Sequence, residues 1–234
     1  MGSTASPLWE LAFAALLVLP GAFRPASRVW LLAFLATLAL FLGLWNLPRF
    51  TPGERILGDH WNWSGALLAL AGTLWVAARL ARGATVPWRE MGFTWDQRPG
   101  SLRPALWVCA AALSLNVLVI NQSNFRLHNV PLETWLYQAT LPGLFEEAAF
   151  RGVLLALLDR AFGARRSVLG ISVGWGGAVV TLVFVGLHGV TMGTLLGVLP
   201  AALLYLWLRV RTGSLIAPVV VHNLWNLSVY AAHL

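Results

Sequence analysis

The chain contains no lysine; all 16 of its basic residues are arginine, set against 9 acidic residues for a formal net charge of +7. A basic balance of that kind can mark a nucleic-acid binder. Here, however, no basic cluster is interleaved with exposed aromatics, and the arginines sit between apolar runs, which excludes phosphate recognition in favour of orientation in a bilayer. Cysteine is nearly absent. The single Cys109 rules out an intrachain disulfide and a thiolate metal cluster, and its apolar neighbours make it a small core residue. No basic stretch precedes the first apolar run and more such runs follow, so that run is expected to be a retained helix rather than a cleaved signal. Longer internal repeats and low-complexity segments are missing, and so is the His-Glu-x-x-His signature of soluble zinc proteases.

What is present is hydrophobic sequence. Of 234 residues, 58% are hydrophobic and only 11% charged, and 13 are tryptophan, a composition far from that of soluble domains. Apolar runs fall near 8–22, 29–46, 64–80, 104–121, 133–158, 168–188, 192–209 and 214–232. The expected fold is therefore all-α, a polytopic membrane bundle of about eight transmembrane helices. Pro20 interrupts the first run, and the fifth is expected to be bent or partly inserted. Twelve arginines lie in the first, third, fifth and seventh loops, while the intervening loops carry Arg49, Arg55 and Arg126. By the positive-inside rule the odd loops face the cytoplasm and both termini face outward.

Two connections are long. Residues 47–63, with Trp61 and Trp63 beside Asp59 and His60, read as an interfacial loop with its indoles at headgroup depth and Asp59-His60 solvated. Residues 81–103 read as an amphipathic cytoplasmic linker lying on the membrane. They divide the chain into a three-helix region, 1–80, and a core, 104–234, that holds every candidate site residue. The pairs Gly170/Gly174 and Gly189/Gly193 have the spacing of close helix packing.

Within Leu141-Pro142-Gly143-Leu144-Phe145-Glu146-Glu147-Ala148-Ala149-Phe150-Arg151-Gly152, two carboxylates and an arginine interrupt an apolar segment. A charge at a helix centre costs about 2.5–3.5 kcal/mol on insertion scales, so such residues need partners or a purpose. Glu147 and Arg151, four apart, share a helix face and form an intrahelical pair. Glu146, about 100° away, lacks a local partner and suits a general base. Phe184 and His188 are likewise four apart, as are His222 and Asn226, so three segments each bring a polar group to similar depth. Glutamate, two histidines and an asparagine meet the needs of amide hydrolysis: a base for water, a partner to hold it and donors for the oxyanion. Glu146, His188 and His222 would equally make a three-ligand zinc site with an open position. The residues alone leave both open.

The order E-E-x-x-x-R, F-x-x-x-H, H-x-x-x-N resembles the CAAX prenyl protease and bacteriocin-processing (CPBP) family of intramembrane proteases. Glu146 to Arg151, Phe184 to His188 and His222 to Asn226 carry the likeness, and Pro87-Trp88-Arg89-Glu90-Met91-Gly92-Phe93 is similar to a Trp-containing stretch that often precedes that core. The resemblance covers residues 85–232. It implies a membrane endopeptidase in which Glu146 activates water, His188 helps hold it, and His222 and Asn226 stabilise the oxyanion. Glu147, Arg151 and Phe184 would be supporting residues, and the cofactor would be either none or a divalent metal such as zinc. Its substrate would be a membrane-embedded or lipidated protein cut near the end of its anchor, with no nucleic acid as partner. The all-Arg composition suggests a GC-rich bacterium and its inner membrane, and an outward site would suit removal of C-terminal sorting segments. A non-catalytic immunity or scaffold protein of the same family, and a transporter, are the competing readings.

Overall fold

The computed structural model describes residues 7–50, 57–83, 85–122, 129–163 and 165–231. Its helices are α1 (Pro7–Ala22), α2 (Pro25–Asn46, continued by a 3-10 turn, Leu47–Phe50), α3 (Trp63–Arg82), α4 (Leu102–Asn121), α5 (Leu132–Glu147), α6 (Leu155–Phe162), α7 (Trp175–Leu187), α8 (Met192–Thr212) and α9 (Ile216–Ala231). A π-helical stretch, Ala148–Leu154, joins α5 to α6 without a break. Local chemistry sets several boundaries. Pro25 opens α2 where its missing N–H has no helical partner. The Asn62 side chain caps α3 by accepting from the Gly65 amide at 2.9 Å. Gly213, at φ +80, ends α8 in the left-handed conformation that a side chain resists.

Helices occupy all eight apolar runs, and among the described residues four are long and apolar enough to cross a membrane: Pro25–Phe50, Trp63–Arg82, Leu102–Asn121 and Met192–Thr212. The expected eight crossings are thus not reached by that measure. At 1.5 Å per residue, the 13-residue α7 spans about 20 Å against a hydrocarbon core of about 30 Å. The start of its apolar run is not helical. Arg165–Val168 (β1) pairs antiparallel with Ile171–Gly174 (β2), a hairpin inside an otherwise all-α fold. Leu169 and Gly170 form its two-residue turn with φ +49 and +72, and Trp207 and Arg211 of α8 donate to their carbonyls. Gly170 therefore serves a turn, and Gly189, at φ +88, a loop, so neither glycine pair packs helices as expected.

One buried core joins the front and back of the chain. Phe34, Leu38 and Phe41 of α2 and Ala66 and Ala69 of α3 pack with Phe145, Phe150, Leu154, Val183 and Phe184. Ser27 Oγ donates to the Ala161 carbonyl at 2.6 Å, tying α2 to α6. Helix α4 attaches through a separate cluster, where Ala105 and Cys109 meet Ala201, Leu204, Tyr205, Leu208 and Val221. The linker is a run of turns docked on the protein: Val86 and Met91 are fully buried, and Leu215 donates to the Gly92 carbonyl at 3.0 Å. Arg209 locks it by donating to the carbonyls of Glu90 (2.6 Å) and Arg151 (3.0 Å). Gly92, at φ +82, is required there, because a Cβ would strike the Arg209 guanidinium.

Arg160 pairs with Glu90 at 2.7 Å, and Arg98 donates to the Val210 carbonyl, so the Arg-bearing loops gather at one end of the bundle. Arg55 and Arg126, assigned to the opposite loops, lie outside the described residues.

Candidate active site

Two side-chain stripes face each other across α5 and α9. Gln138, Pro142 and Glu146 recur every four residues on α5, as do His222, Asn226 and Tyr230 on α9, and all six line one cavity of about 520 Å³. His188, at the end of α7, lines it too. The helices approach closely because Gly143 has no side chain: a Cβ would lie 2.5 Å from the Val219 carbonyl and 2.6 Å from Asn223 Oδ1. Pro142 cannot donate to the Gln138 carbonyl and so breaks the helical ladder at this point. Asn223 bridges the interruption, accepting from the Gly143 amide at 2.8 Å and donating to the Thr140 carbonyl at 3.2 Å.

The charged groups form a chain. Arg151 donates to Glu147 Oε1 at 3.2 Å, the expected intrahelical pair, and both side chains are fully buried. Arg151 also donates to the Ala202 carbonyl at 3.1 Å, and its guanidinium lies 4.1 Å from the centre of the Phe184 ring. Glu147 does more than support Arg151, because the same Oε1 accepts from His222 Nδ1 at 2.8 Å. That bond aims His222 Nε2 at Glu146, 3.8 Å from Oε2. Tyr205 stacks on the His222 ring with centroids 4.6 Å apart, so the ring is fixed in plane and rotation. Glu146 Oε2 is buried with no hydrogen-bond partner among the described residues, the arrangement expected of a group that awaits a ligand or water.

His188 Nδ1 lies 2.8 Å from the Phe184 carbonyl. A carbonyl only accepts, so Nδ1 carries the proton and, in the neutral ring, Nε2 keeps its lone pair. Phe184 packs beside it, with ring centroids 4.8 Å apart. Asn226 Nδ2 donates to Gln138 Oε1 at 2.9 Å. All four sequence candidates therefore border one cavity, and of the two histidines it is His222 that comes within 4 Å of Glu146. Among the described residues, no three His, Cys, Asp or Glu side chains are grouped so as to hold a metal ion. Nδ1 of each histidine is engaged, which leaves Nε2 as the available nitrogen of each ring.

The cavity opens at the end away from the Arg-bearing loops, and the front of the chain supplies part of its wall: Trp45, Arg49, Asp59, His60 and Trp61. The loop around Asp59 and His60 is thus part of the cleft rather than only solvated interface. Glu133, at the start of α5, accepts from the amides of Asp59, His60 and Trp61, from His60 Nδ1 at 2.9 Å and from Trp63 Nε1 at 3.0 Å. The indoles of Trp61 and Trp63 pack on Tyr137. Sequence reasoning missed Gln138, Tyr137, Tyr205 and Glu133 as site residues. The four-residue recurrence of Gln138, Pro142 and Glu146 was a signal for the first, whereas Glu133 and Tyr205 reach the site only through packing.

Residues 128–228 match the family model described as type II CAAX prenyl endopeptidase, Rce1-like, which is consistent with the CPBP resemblance carried by the three motifs. The match takes in the paired glutamates and both histidine motifs and leaves out α1 to α4. No curated protein and no solved structure matches the chain.

Proposed function

From an Rce1-like endopeptidase domain over residues 128–228, we propose that the chain is an intramembrane endopeptidase that cuts a membrane-anchored or lipidated protein near the end of its anchor. The observation that carries this reading is the Glu146 carboxylate, buried, unpartnered at Oε2, and turned toward both the cavity and His222. At 3.8 Å the two groups are too far apart for a direct hydrogen bond, but a water about 2.8 Å from each fits between them.

In this mechanism Glu146 takes the proton of the attacking water, and the His188 Nε2 lone pair accepts its second hydrogen and fixes its direction. The oxygen adds to the scissile carbonyl carbon, and Asn226 donates its free amide hydrogen to the oxyanion. His222, held by the bond from its Nδ1 to Glu147, stands beside Asn226 toward the oxyanion. Collapse of the intermediate breaks the C–N bond, and Glu146 returns its proton to the departing nitrogen. Glu147 serves by holding His222, and Arg151 by holding Glu147.

The aqueous mouth lies at the Arg-poor end, which under the charge rule is the outer face and suits removal of C-terminal segments from exported proteins. The test is a comparison of membrane proteomes from cells carrying the wild type or Glu146→Gln. Proteins with unprocessed tails that accumulate only with the variant support the reading, and identical tails in both reject it.

A further inference from the structure

The two stripes form two polar rungs, and the mechanism uses only one of them. The first joins Glu146 to His222. The second joins Gln138 to Asn226 by a hydrogen bond of 2.9 Å, and Tyr230, one turn further along α9, lines the same cavity. Gln138 is buried although its side chain is polar, and it lies two turns before Glu146 on the same face.

Asparagine is a two-ended group. Its amide presents N–H to an oxyanion in one orientation and a carbonyl oxygen in the other, and the two differ by a half-turn of one soft torsion. The second orientation sets one partial negative charge against another. Asn226 therefore needs something to choose between them. Gln138 Oε1 is an acceptor only, and at 2.9 Å it holds the Asn226 nitrogen toward α5. One of the two N–H bonds is then used and the other is left for the cavity. Asn223, two residues after Val221 on the same helix, pins the register of α9 to the Pro142 interruption and keeps both rungs aligned.

We infer that Gln138 is a positioning residue of this site: its carbonyl oxygen fixes the amide of Asn226 with an N–H toward the oxyanion. This rests on the endopeptidase reading, and it assigns a role outside the three motifs.

A double-mutant cycle in the full-length protein, reconstituted in liposomes, tests it. The probe is a fluorogenic peptide bearing a prenylated cysteine near its C-terminus, and kcat and KM are measured for wild type, Gln138→Met, Asn226→Ala and the double variant. Loss of an oxyanion donor in Asn226→Ala is expected to lower kcat about 10²-fold to 10³-fold. Gln138→Met keeps the side-chain length without the acceptor. It is expected to lower kcat about tenfold with KM unchanged, and to have no further effect once Asn226 is replaced by alanine. Gln138→Glu keeps an acceptor oxygen at the same place and is expected to retain most of kcat; a tenfold loss in that variant counts against the role, and it decides the matter should Gln138→Met not fold. Equal losses in both backgrounds, or a change confined to KM, overturn the positioning role while leaving the endopeptidase reading intact. Absence of cleavage by the wild type overturns that reading and the role with it.

Discussion

The Arg151–Glu147–His222 chain makes a quantitative demand on stability. Arg151 and Glu147 are fully buried, so neither charge is relieved by solvent when the other is removed. Breaking a buried pair from one side costs about 3–5 kcal/mol, mostly the penalty of the charge left behind. Arg151→Met strands Glu147 with His222 alone and also removes the donor to the Ala202 carbonyl and the cation over Phe184. Glu147→Gln strands Arg151. For a chain of this size about 1 kcal/mol corresponds to about 2–4 °C, so each single variant should melt about 6–20 °C below the wild type. The double variant removes both charges and keeps an amide oxygen for His222 Nδ1. It is expected to lie within about 2 kcal/mol of the wild type, because replacing a whole buried pair with neutral groups is often close to neutral. Thermal unfolding of the four proteins in one detergent, followed by circular dichroism, measures all three differences. Single variants that cost less than about 1 kcal/mol, or a double variant equal to their sum, refute the argument that these charges compensate each other. The double variant, though stable, should still lose kcat, since a neutral amide in place of the Glu147 carboxylate holds the His222 ring less firmly.

Three further outcomes follow from separate parts of the fold. Glu133→Gln removes an acceptor shared by five donors; after allowance for its partial exposure it should cost about 1–2 kcal/mol and speed hydrogen exchange at the amides of Asp59, His60 and Trp61. Unchanged exchange there would show that the carboxylate does not hold this wall of the cavity. Gly143→Ala places a methyl 2.5 Å from the Val219 carbonyl, so a loss of about 1–3 kcal/mol in thermal unfolding is expected, and full stability would mean that α5 and α9 are not in the described contact. Reporter fusions in the 122–132 loop should be active only on the outer side of the membrane, and cytoplasmic activity would reject an outward-facing cleft.

Pairings within one helix were legible in the sequence, and pairings between helices were not. The four-residue spacing of Glu147 and Arg151 gave their ion pair directly, and the same spacing put His222 and Asn226 on one stripe. The bond from His222 to Glu147 joins residues 75 positions apart, and its existence depends on how α9 rotates against α5. Read alone, Glu147 had enough explanation in Arg151, which is why its second partner went unseen. The hairpin was missed for a different reason. Val168, Ile171 and Val173 are apolar and β-branched, and in a chain this hydrophobic a run count merges a short strand pair with the helix that follows. The linker mixes apolar and charged residues, and which of its apolar side chains enter the protein, as Val86 and Met91 do, depends on contacts far along the chain. Likewise Asp59 and His60 gave no sign of a fixed position, since the carboxylate that fixes them is more than 70 residues away.

The central claim is that Glu146 provides the base for peptide hydrolysis in the cavity between α5 and α9. Its most direct measurement is single-turnover cleavage of the prenylated peptide by purified protein in liposomes, with the new carboxyl terminus identified by mass spectrometry, for wild type and Glu146→Gln matched in melting temperature. The account predicts a defined cut by the wild type and none above background by the variant. Equal cleavage by the two proteins would contradict it.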